Sequence, residues 1–188
     1  MLELERVVAD VADALVAIDR SGVPFKAFQP GVGPYGEPQL LRAVAGRLNE
    51  CETYRSLVAT KRSPDLLILG HWALEFKLAR PFGDNGKEAE NWSVNLLHPY
   101  PGNVSAIGDC LKLCALSGPE RKAVVVIGYE HTPPRVALAP LFDSFEVITQ
   151  AVMGLSLGSR VQEFRGDLLH PIHQQLIVAA WEVRANPV

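Results

Sequence analysis

The chain has 188 residues, 48% hydrophobic and 21% charged, which fits one globular domain with a full apolar core. Eighteen Lys and Arg against 21 Asp and Glu leave a net charge of −3, which excludes a protein that holds nucleic acid mainly by bulk positive charge. No run approaches the ~18 apolar residues that a membrane span needs, so no membrane partner is expected. Glu3, Glu5, Asp10 and Asp13 make the N-terminus unlike a secretory signal, and a cytoplasmic protein is the expectation. Cys51, Cys110 and Cys114 read as reduced thiols. Cys110 and Cys114 can share a helix face, but there is no CxxC and no His at ligand spacing. Core packing is therefore the better reading than zinc.

Leu4, Val7, Val8, Val11, Leu15 and Ile18 recur at helical spacing and predict a first helix over 2–19. Residues 29–36 form a turn-rich link. Pro38 then opens a second helix with Leu40, Leu41, Val44 and Leu48 inward, and Glu37 sits at its N-terminus. Three strands are expected next, at 53–60, 65–69 and 72–79, the last two a hairpin around Gly70. Residues 80–102 make a long connection of the kind that is usually functional. Pro101-Gly102-Asn103 announces a further helix with Val104, Ile107, Leu111 and Cys114 on one face. The Val/Ile run at 123–129 reads as a strand buried on both sides. A helix from about Pro140 follows, with Leu141, Phe145, Ile148 and Val152 inward. Extended segments are expected at 161–164 and 176–183, the latter open between strand and helix and favouring strand on its Ile/Val/Trp content. The expected class is α/β (α+β): one domain over 1–188, a three-layer sandwich with a mixed sheet between helices, its core at about 37–130.

The chemistry concentrates in Pro64-Asp65 and Glu75-Phe76-Lys77. Residues two apart on a strand share a face, so Glu75 and Lys77 project together and Phe76 points away. In a hairpin centred on Gly70, Asp65 opposes Glu75, with Cβ atoms ~4.5–5.5 Å apart. Opposed carboxylates repel unless something positive lies between them. A divalent cation held by one or two carboxylates, with water and phosphate oxygens completing the shell, is what Mg²⁺ prefers. A nearby Lys can position water or neutralise charge on phosphate. The cluster therefore suits metal-assisted phosphodiester hydrolysis. The same residues also fit an edge strand with surface charges.

These residues resemble the PD-(D/E)XK motif of the restriction-endonuclease-like nuclease superfamily, and the αβββαβ order read over 37–130 is similar to that family's core. The resemblance implies Asp65 and Glu75 as ligands of Mg²⁺ or Mn²⁺, the Phe76 backbone carbonyl as a further ligand, and Lys77 as the group that assists the attacking water. It implies a role for Glu37, which otherwise reads as a charge favouring the helix N-terminus. It also implies a polar residue on the helix after the hairpin, where Asp109 and Lys112 lie; these equally form a solvated intrahelical pair. Arg80 and Lys87, with Asn85, Asn91 and Trp92, can meet a nucleic-acid backbone or stack a base, although Trp92 can also simply anchor the loop. The expected activity is a metal-dependent nuclease acting on DNA in preference to RNA. The alternative is an inactive protein of the same fold that binds nucleic acid or serves in an assembly. Target specificity would come from the 80–102 loop, a second copy of the chain or a partner protein.

Other patterns point to no chemistry. Gly154-Leu155-Ser156-Leu157-Gly158 matches G-x-S-x-G but lacks a strand before it. His170 and His173 flank Pro171, which favours a turn over a metal site. Gly31, Gly33 and Gly36 do not follow a strand, so no phosphate-cradling fingerprint is present.

Overall fold

A computed structural model describes residues 1–100, 102 and 104–184. Helix α1 (Leu4–Arg20) and helix α2 (Glu37–Glu50) come first, each burying the apolar face expected of it. Strands β1 (Val58–Thr60), β2 (Leu66–Ile68) and β3 (Trp72–Ala79) form an antiparallel meander. A short helix α3 (Val94–Leu97) and helix α4 (Ala106–Ala115) lead to β4 (Arg121–Glu130), which runs parallel to β3. Helix α5 (Ala139–Val147), the two-residue β5 (Ser156–Leu157), β6 (Val161–Arg165) and β7 (Gln175–Arg184) complete the chain. Residues 176–183 are thus strand.

The result is an α+β fold with one seven-stranded mixed sheet between helices, a three-layer arrangement. The strands run β1-β2-β3-β4-β7, and both β5 and β6 pair with the free edge of β7. Alternation along the strands divides the core in two. Phe76, Val125, Ile127 and Val178 pack towards α1 and α2. Val124, Val126, Ala179 and Trp181 pack towards α4 and α5. No helix among the described residues is long and apolar enough to cross a membrane.

Three local expectations are corrected. The first strand is short, because residues 52–54 form a helical turn that buries Tyr54 and hydrogen-bonds its hydroxyl to Asp10 at 2.6 Å. Helix α4 starts at Ala106, where the Ser105 hydroxyl caps it by accepting from Gly108 N. Its inner face is Ile107, Cys110 and Leu113; Val104 is exposed, and Leu111 and Cys114 are only half-buried. Pro101 and Asn103, part of the announced helix start, lie outside the described residues. After α5 the coil widens into a π turn at Ile148–Val152, which shifts the side-chain register and leaves Val152 exposed. Ser156 lies on β5, paired with Arg184, and, as expected, not on a strand-to-helix elbow.

Ile127 is fully buried on the central strand between β3 and β7. Ile127→Ala should lower stability by ~2–5 kcal/mol, read as a shift of the urea midpoint at unchanged slope. A loss below ~1 kcal/mol would contradict this packing.

Candidate active site

The hairpin has the register that brings Asp65 and Glu75 together. Leu66 pairs with Leu74 and Ile68 with Trp72, so Asp65, one residue before β2, comes opposite Glu75. Phe76 turns into the core under α1 and α2, whereas Glu75 and Lys77 lie on the opposite face. Asp65 Oδ2 accepts from Phe76 N at 2.9 Å, which ties the start of β2 to β3. Glu75 is 3% exposed, and its Oε1 accepts from the Ser63 hydroxyl at 2.8 Å.

Burial, and then the charge of Asp65, push Glu75 up to about 8 from an ordinary value of 4.5, against the opposing effect of the Ser63 hydrogen bond. The two carboxyl groups are close enough to hydrogen-bond each other when one is protonated. Among the described residues neither carboxylate is in an ion pair, although the charge of Asp65 helps to raise Lys77. The nearest ammonium, Lys77, is engaged elsewhere: Nζ donates to the Phe76 carbonyl at 3.0 Å and lies 2.6 Å from Asp109 Oδ2 and 3.9 Å from Glu37 Oε1.

Asp109 is the surprise. It is fully buried on α4, whereas helical spacing alone predicts the solvated side. The buried stripe of α4 is rotated from the expected one, and that turns Asp109 towards β3. Lys112, exposed on the next turn, lies 2.5 Å from Asp109 Oδ1. Asp109 Oδ2 has no aligned hydrogen-bond donor despite its distance to Lys77 Nζ, so that contact is an ion pair held by charge. Burial disfavours the Lys77 ammonium, but Glu37 and Asp109 outweigh it and hold Lys77 above its ordinary value. Lys77 is therefore a cation at neutral pH and acts as a donor, not as a base. Burial also raises Glu37, with Lys77 opposing.

The other candidates separate. Arg80 donates to the carbonyls of Gly33 (2.8 Å) and Tyr35 (3.2 Å), so it pins the 29–36 link besides lining a cavity. Lys87 sits on an exposed turn and lines neither cavity beside the site. Lys112 acts through Asp109. His170 and His173 form the expected bend, but their rings are buried and stacked 4.7 Å apart, and His173 Nε2 lies 2.9 Å from the Phe82 carbonyl. Burial pushes His173 down to about 4. Gly33 passes so close over this ring that a Cβ there would collide with Nδ1.

Two cavities flank the cluster and share Glu37 in their walls. One, of about 580 Å³, includes Lys77, Arg80, Phe28 and Trp92; the other, of about 540 Å³, includes Asp65, Arg42, Lys61 and Arg62. Among the described residues no group of three or more His, Cys, Asp or Glu side chains is arranged to hold a metal ion. Two carboxylates with water and phosphate oxygens remain a normal donor set for Mg²⁺. The three cysteines are free, and Cys110 packs in the core. Compared with known proteins, the chain matches no family model, no curated protein and no solved structure.

The Glu75 shift gives stability a definite pH dependence. Folded, Glu75 keeps its proton up to about pH 8; unfolded, it loses it near 4.5. The native state binds more protons across that window, so this contribution is full below pH 4.5 and is lost as pH rises through 8. Urea unfolding in EDTA should show stability falling over this range, with the fall flattened in Glu75→Gln. Equal slopes in the two proteins would contradict the burial of Glu75 beside Asp65.

Proposed function

We propose that the protein is a metal-dependent nuclease that hydrolyses phosphodiester bonds, with DNA as its substrate, on a restriction-endonuclease-like core. The observation that carries this reading is the pairing of a buried Glu75 with a half-buried Asp65, neither in an ion pair among the described residues, beside a protonated lysine on the same sheet face. The element order over 37–130 supports it: a helix, a three-stranded meander, a crossover helix and a parallel strand, with the small α3 and the 52–54 turn as additions.

The donor set fits the ion that the resemblance implies. Asp65 and Glu75 would hold Mg²⁺ or Mn²⁺, and the Phe76 carbonyl, which already accepts from Lys77, keeps a second lone pair for it. When bound, the ion supplies the positive charge that phosphate needs on approach and lowers the pKa of a bound water. The chain's own groups do the rest. Lys77 donates to the attacking water or to a phosphate oxygen and offsets the charge that develops there. Asp109, clamped by Lys112, holds the Lys77 ammonium in place. Glu37 lies on the far side of Lys77 and accepts a proton from water more readily because burial has raised it. Hydrolysis adds water across one P–O bond: the hydroxyl goes to phosphorus and the proton to the leaving sugar oxygen.

Purified protein with Mn²⁺ should cleave DNA, and EDTA should abolish the cleavage. Lys77→Ala and Asp65→Ala should each cut the rate by ~10²-fold or more while the circular dichroism spectrum is kept. Asp109→Asn should lower kcat and shift the pH profile with little change in KM, as expected for a positioning residue. Metal-independent binding that is indifferent to Lys77→Ala, with no cleavage, would replace the enzyme by a binding subunit of the same fold.

A further inference from the structure

The two cavities beside the carboxylates differ in chemistry. The Asp65 side is walled by Arg42, Lys61 and Arg62, three exposed cations suited to a phosphate backbone. The Lys77 side is walled by the aromatic rings of Phe28 and Trp92, by Asn95, by the cations Lys77 and Arg80, and by the acids Glu37, Asp84 and Glu90. Arg80 is committed to the Gly33 and Tyr35 carbonyls and Lys77 belongs to the carboxylate cluster itself, so the outer wall is acidic and disfavours phosphate, whereas carboxylates and amides accept from or donate to the edges of nucleobases. Phe28 is exposed and Trp92 half-buried, so ring surface is open to a ligand. Its volume of about 580 Å³ lies in the ~300–1,000 Å³ range of small-molecule sites.

A strand crossing the cluster from the basic side would therefore bring a phosphate to Asp65 and Glu75 and its next base to the aromatic side. A base can stack on these rings and expose its edge to the acids only if it has left its own duplex stack. We propose that the cavity walled by Phe28 and Trp92 takes an unpaired nucleobase next to the cleaved phosphate. The substrate is then a single strand, a flap or a frayed end, and not a continuous duplex. This inference rests on the nuclease reading for the identity of the phosphate, but its binding pocket can be tested apart from cleavage.

The protein carries its own reporter. Trp72 and Trp181 are fully buried, so among the three tryptophans Trp92 is the one a stacking base can quench. A 12-nucleotide DNA single strand, and the same strand in a blunt duplex, are titrated in EDTA and again in Mn²⁺. Tryptophan fluorescence is followed together with the anisotropy of a label on the strand. The single strand should quench the emission and bind at least ~10-fold more tightly than the duplex. Phe28→Ala should weaken single-strand binding by about tenfold. Trp92→Phe should abolish the quench yet keep the affinity, which separates stacking from a purely structural role. No quench in either buffer, or equal binding of the two substrates, overturns the unpaired-base pocket. Separate cleavage assays in Mn²⁺ then tell the two readings apart. Cleavage with no strand preference leaves the nuclease standing and removes the pocket; quenching without cleavage does the reverse.

Discussion

Two carboxylates, Asp65 and Glu75, meet across a hairpin at a place where Glu75 is cut off from water and, among the described residues, neither is in an ion pair. Each would be a routine surface charge if exposed. Together, with Glu75 buried, they cost stability, and the chain answers only in part: Ser63 donates one hydrogen bond to Glu75, and Phe76 N donates one to Asp65. Backbone and hydroxyl donors do not cancel two negative charges at one spot. The pair therefore shares a proton up to about pH 8 unless it is neutralised from outside, and in the proposed function a divalent ion takes the place of that proton.

The rest of the fold places that pair and withholds the obvious internal remedy. Because β3 and β4 are parallel, the chain must cross over between them, and α4 lies on the crossover. That helix delivers Asp109 to Lys77 and pairs that ammonium with the helix and not with Glu75. The lysine stays charged, held by acids on both sides, which suits it to stabilise phosphate and unsuits it as a base. Arg80, on the residue after β3, pins the 29–36 link so that its Gly33 backbone passes close over the His173 ring, beside the cavity that His173, Phe28 and Trp92 help to line. Strand, crossover helix and link are thus coupled through Glu75 and Lys77 on β3 and Arg80 just after it.

The sequence carried the hairpin well because its signals were local. Alternation along Trp72–Ala79 and a glycine at the turn set the register, and register alone decides which carboxylates face each other. The Val/Ile run of β4 and the apolar spacing of α1 and α2 were equally direct. Asp109 was not legible, because a charged residue beside an apolar stripe reads as solvated unless its partner is known. Here the partner lies on a strand 32 positions earlier in the chain. Ser105 was the available clue: as the helix cap it fixes the start of α4, and from that start Ile107, Cys110 and Leu113 become the inner face with Asp109 on its flank. The turn at Tyr54 and the π turn after α5 escaped for the same reason. A tyrosine–aspartate bond to α1 and a change of helical period are made by tertiary contacts, not by neighbours in the chain.

The account stands on the claim that Asp65 and Glu75 share a cation. A crystal structure of the protein soaked with Mn²⁺, with data collected at an energy where manganese scatters anomalously, tests it most directly. The predicted result is a single anomalous peak bound by oxygens of both carboxylates, lost in Asp65→Asn. An empty site at saturating Mn²⁺, with Asp65 and Glu75 still in hydrogen-bonding contact through a shared proton, would contradict it.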